Sequence, residues 1–66
     1  MNEANEKLYR DFNELKGMER QAYTLYRGLV PLISDPVDRK YVEGIMADEL
    51  RHEQMVQEIL DLLETD

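Results

Sequence analysis

The sequence predicts an all-α protein: an antiparallel two-helix hairpin that dimerises into a four-helix bundle. Three observations carry this expectation. Apolar residues recur at steps of three and four along two long segments, a break holding two prolines separates them, and each apolar face is broader than one neighbouring helix would cover. At 66 residues, residues 1–66 form one domain, without internal repeats or a linker.

In the first segment Leu8, Phe12, Leu15, Ala22 and Leu29 keep the helical step, with Glu19 and Tyr26 filling the gaps. Met18 and Leu25 widen the stripe, and the pattern predicts a helix over about 4–30. Val30-Pro31-Leu32-Ile33-Ser34-Asp35-Pro36 ends it. Proline disfavours helical backbone in the residue before it, so Val30 and Asp35 are both expected to be extended. Asp35-Pro36 is also a helix start, an acceptor at the N-cap followed by proline at the first helical position. Val42, Ile45, Val56, Ile59 and Leu63, with Glu49 and His52 in the gaps and Met46 and Leu60 beside them, predict a second helix over about 36–64. Gly17 and Gly44 fall inside these helices, where each costs about 1 kcal/mol relative to alanine; close helix approach would be one reason for them. Met18 and Met46 read as core filler. Tyr9, Tyr23 and Tyr41 read as rings on the core edge with hydroxyls in water.

Charge excludes whole classes of partner. Fifteen acidic residues against eight basic ones give a formal charge of −7, the wrong sign for nucleic acid or an anionic membrane surface. No apolar run approaches the ~20 residues needed to span a bilayer, and no basic-then-apolar leader opens the chain. Zero cysteines remove disulfides, thiolate metal sites and thiol nucleophiles, which makes a cytoplasmic location the default expectation. A chain this short hides only roughly 60% of the surface its unfolded form exposes. Without disulfides, the staples left to it are a metal, self-association, or both.

Three side chains sit where apolar ones are expected. Glu19 interrupts one core stripe, and Glu49 with His52 interrupts the other; a carboxylate facing a core is costly unless its charge is compensated. Taking Ser34 as the turn, Glu19 lies 15 residues before it and Glu49 15 after it. Both therefore stand about 22 Å from the turn at ~1.5 Å per residue. His52 follows Glu49 by three positions and shares its helix face. A two-fold pairing of hairpins near this level would gather four glutamates and two histidines, the ligand inventory of a carboxylate-bridged two-metal site in a helical bundle. Four carboxylates balance two divalent cations, and oxygen-rich donors with imidazole and no sulfur suit iron or manganese, with zinc as a further substitute. The plainer reading is that Glu49 and His52 form a surface pair. Glu53, beside the stripe between Met46 and Leu60, is a candidate for orienting His52 or Tyr26 from outside the ligand set.

Glu19 with Ala22-Tyr23-Thr24-Leu25-Tyr26, followed by Asp48-Glu49-Leu50-Arg51-His52-Glu53, resembles the ferritin-like superfamily. The resemblance runs from Leu15 to Leu63 and is closest in kind to two-helix half-ferritins, the encapsulated ferritins and rubrerythrin-like half-domains. It implies iron bound by Glu19, Glu49 and His52 at a homodimer interface, ferroxidase activity, higher oligomers, and Tyr26 as a tyrosine near the metals. By resemblance alone it also suggests a location inside an encapsulin shell. Two features of the family differ. Met18, Arg20 and Gln21 stand where the family has acidic neighbours that guide iron inward, and residues 1–66 hold no segment resembling the family's shell-docking extension, so shell association is not expected from them.

The expected function is thus a di-iron ferroxidase that oxidises Fe(II) to Fe(III) with O2, serving iron storage or detoxification. Glu49 would bridge the metals, Glu19 chelate one and His52 supply nitrogen, with Tyr26 and Glu53 as candidates for proton handling. Two alternatives compete with it: a metal-free acidic helical oligomerisation module, and a rubrerythrin-like protein that reduces peroxide.

Overall fold

Helix α1 (Glu3–Leu29) begins where Asn2, in extended backbone, accepts the amide N–H of Asn5 on its side-chain oxygen at 2.8 Å. Glu3 and Glu6 occupy its first turn and Arg27 its last, each charge placed favourably for the helix dipole. The computed structural model, which describes residues 1–65, continues through a 3-10 turn (Val30–Leu32) into helix α2 (Pro36–Thr65). Asp66 lies outside the described residues. The two helices pack antiparallel, and no strand occurs among the described residues. The expected boundaries hold to within one residue at each end.

One local expectation is corrected. Val30 is helical (φ −51°, ψ −46°), not extended. Its own N–H still bonds to the carbonyl of Tyr26, and Pro31 takes a place in the 3-10 turn where its missing N–H costs nothing. Ile33 is the residue that turns extended (φ −88°, ψ 114°). Arg39 then ties the turn together by donating from Nε and Nη2 to the carbonyl of Ile33 at 3.1 and 2.8 Å. Asp35 caps α2 as expected: its Oδ1 accepts from the amides of Val37 and Asp38 at 2.8 and 3.2 Å.

Across the hairpin, α1 offers Tyr9, Phe12, Lys16, Glu19, Tyr23 and Tyr26, all half-buried, at alternating steps of three and four. Helix α2 answers with Val42, Met46, Glu49, Glu53, Val56, Leu60 and Leu63 at the same steps. Two straight helices touch along a narrow seam, and the apolar stripes are wider than that seam. Leu8, Leu15 and Leu29, expected in the core stripe, therefore remain exposed, as do Met18 and Leu25 beside them. Only Val56 and Leu60 are fully buried among the described residues. At the N-terminal end of α1 the hydroxyl of Tyr9 donates to Glu64 at 2.9 Å instead of to water, and this carboxylate raises the phenol's pKa. Tyr41 is 73% exposed and has no place on the core edge. Nothing lies within 4 Å of a β-carbon built on Gly17 or Gly44, so close approach within the hairpin does not explain either glycine.

The outcome is a slat of 50 × 14 × 11 Å with almost no interior. It exposes 5183 Å². A compact monomer of this mass would expose about 4,400 Å². The excess, about 800 Å², equals the area one partner hides in a standard-size protein interface. No helix among the described residues is long and apolar enough to cross a membrane.

Candidate metal centre

Glu19 of α1 and Glu49 of α2 both lie on the inner seam, and the antiparallel packing brings them level as their equal separation from the turn requires. His52, one turn beyond Glu49, reaches across to α1 from the edge of the seam. Each of the three offers a ligand atom, and these atoms lie within 4.8 Å of one another. Nδ1 of His52 is 3.7 Å from Oε2 of Glu19, too long for a hydrogen bond. Donors bound to one metal at about 2.1 Å stand about 3 to 4 Å apart, so small side-chain movements would bring the three onto a single ion. The donor chemistry, two carboxylates and one imidazole without sulfur, fits iron, manganese or zinc.

The electrostatics favour a cation. Glu49's carboxyl is held above the 4.5 of an ordinary glutamate, first because Glu19 shares hydrogen bonding with its protonated form, then through burial and the charge of Glu19, with Asp48 adding to the effect and His52 opposing it. Two carboxylates facing each other across a helix seam repel when both are ionised. A divalent ion would replace that repulsion with attraction.

Consecutive residues on a helix lie 100° apart, so the neighbours of these ligands close the opposite side of the hairpin. Arg20 follows Glu19, Glu53 follows His52, and the two pair across the helices with Nη1 3.5 Å from Oε2. The guanidinium also lies 5.6 Å from the centre of the Tyr23 ring. Glu53, expected to orient His52 or Tyr26, thus faces Arg20 instead. Tyr26 is half-buried on the same row as Glu19, seven residues on and about 10 Å along the axis, and makes no hydrogen bond to the three ligands among the described residues. The Arg20–Glu53 pair was not read from the sequence. Its signal is there, a charge of opposite sign directly after a ligand on each helix, but one-residue neighbours carry no message until the side of the hairpin they occupy is known.

The two sides of the hairpin differ in character. Lys16, Arg20, Leu50, Glu53, Gln54 and Gln57 line a shallow polar groove on one. His52 opens onto the other, in a row with Ile45 and Ile59 and beside the exposed leucines of α1. No protein-family model, curated protein or solved structure matches the chain.

Proposed function

We propose that this protein is a ferroxidase: it binds Fe(II) at Glu19, Glu49 and His52 and oxidises it to Fe(III) with dioxygen, at a dinuclear site shared by two copies of the chain. The carrying observation is the convergence of these three donors from two helices at one level. One hairpin supplies two carboxylates and one imidazole, half the set that two iron ions need in a helical bundle. A second copy laid on the apolar side would supply the other half, cover the exposed leucines and hide the excess surface at once. This reading fits the resemblance to half-ferritins.

In the reaction each Fe(II) gives up one electron, and dioxygen accepts both together with protons from solvent. The chain's residues hold the substrate ions and neutralise their charge. Glu49, central on the seam, would lie between the two ions; Glu19 would chelate from α1 and His52 from the edge. Because Glu49's carboxyl is held above the ordinary glutamate range by Glu19, metal binding competes with its proton, and binding weakens as pH falls. Iron storage or detoxification is the purpose such an activity would serve.

Iron content and mass in solution, measured with and without Fe(II), test the proposal together with the rate of Fe(III) formation in air. The expected result is one iron per chain, a dimer that iron tightens, and oxidation faster than for Fe(II) alone. A chain that takes up no iron would overturn the site and leave the metal-free oligomeric module, whereas an iron-loaded monomer would overturn the sharing of the site between two copies. Faster turnover with peroxide than with dioxygen would favour the peroxide-reducing alternative.

A further inference from the structure

We propose that Arg20 and Glu53 are positioning residues that hold the helices in register for metal binding from outside the ligand set. The inference rests on the metal-binding reading above and assigns a role to a pair that touches no ligand. Glu19 and Arg20 are consecutive on α1, as are His52 and Glu53 on α2, so two contacts of reversed polarity straddle the seam at one height. On one side Glu19 faces His52; on the other Arg20 faces Glu53. A cation bound by Glu19 and His52 replaces the contact between them. The Arg20–Glu53 pair is then the nearest cross-helix link that survives loading.

Its placement suits the task. Glu53 belongs to the row of Met46 and Leu60 and keeps only 20% of its side chain exposed, so it is held by its surroundings. Arg20 is steadied by the face of Tyr23. Metal ligation tolerates errors of a few tenths of an ångström, whereas sliding one helix past the other by a single residue moves a ligand by about 1.5 Å. A link at the level of the ligands resists that slide more directly than contacts at the ends of a 50 Å slat.

Charge and clamping predict opposite signs at Arg20. If Arg20 acts only through its positive charge, removing it lowers repulsion and tightens cation binding. If it clamps, removing it loosens the ligands and weakens binding. The test is titration with Co(II), followed by its visible absorption, at a temperature where circular dichroism shows every variant fully helical. Arg20→Gln should weaken Co(II) binding about fivefold, the scale of a partly exposed ion pair. Arg20→Lys should stay within about twofold of wild type, and the charge-swapped double variant Arg20→Glu with Glu53→Arg should recover most of what Arg20→Glu loses. Wild-type or tighter binding by Arg20→Gln would overturn the clamp while leaving the metal site intact. If Arg20→Gln fails to fold, the swapped variant decides: recovery of affinity supports the clamp, and persistent loss overturns it. Wild-type protein that binds no Co(II) would overturn both the clamp and the site.

Discussion

Nδ1 of His52 and Oε2 of Glu19 stand 3.7 Å apart across the two helices, yet the carboxylate is 19% exposed and the imidazole 47%. The candidate centre is therefore closed by protein from the α1 side and open at the histidine. That asymmetry is compatible with the proposed sharing of the site between two copies: the ligands are anchored in one hairpin's seam, and the histidine faces the apolar side.

Replacing Glu49 by glutamine separates binding from stability. The isosteric amide removes one carboxylate from the facing pair, so metal-free protein should melt at the same temperature as wild type or higher at pH 7, while metal affinity falls by more than the roughly 10–100-fold that loss of an outer-shell group costs. The advantage should depend on pH. Because the folded carboxyl sits above its unfolded value, the native state binds the extra proton, and wild-type stability from this group declines as pH rises through the raised folded value. Below 4.5, where the group is protonated in both states, wild type and Glu49→Gln should converge; the gap should open towards neutrality. Thermal melts of both proteins across that range check the sign. Metal affinity of wild type should rise over the same interval.

His52→Ala should leave the metal-free hairpin intact, within about 0.5 kcal/mol, because its side chain is half exposed and fills no core. Iron oxidation should slow by at least about tenfold. Stopped-flow measurement of Fe(III) formation, with circular dichroism of the same samples, tests both halves.

A charge on the apolar side should divide the proposed dimer. Leu25 is 62% exposed in the single hairpin, so Leu25→Glu costs the hairpin little. In a bundle it forfeits about 1.5–3 kcal/mol of leucine burial per chain, enough for at least a tenfold loss of dimer affinity. Leu50, in the polar groove, is the control: Leu50→Glu should leave association unchanged. Sedimentation equilibrium distinguishes the two.

Gly17→Ala should raise the melting temperature. A β-carbon there meets nothing within 4 Å, and the helix interior favours alanine by about 1 kcal/mol, a gain of about 4–8 °C for a domain of this size. A fall in melting temperature would place Gly17 in a contact the single hairpin does not contain.

Two helices, their boundaries, the Asp35 cap and the level match of Glu19 with Glu49 were all legible in the linear chain, because each follows from local chemistry or from counting residues at a fixed rise. Apolar period, cap residues and proline act within one or two turns. Which row of each stripe would meet the other helix was not legible. The stripes span more than one row, and a one-position shift of phase turns Leu15 outward and brings Glu53 inward. Only the packed pair decided that His52 opens to the apolar side while Glu53 crosses to Arg20, since facing across a seam depends on the rotation of both helices about their axes, a quantity no single helix encodes.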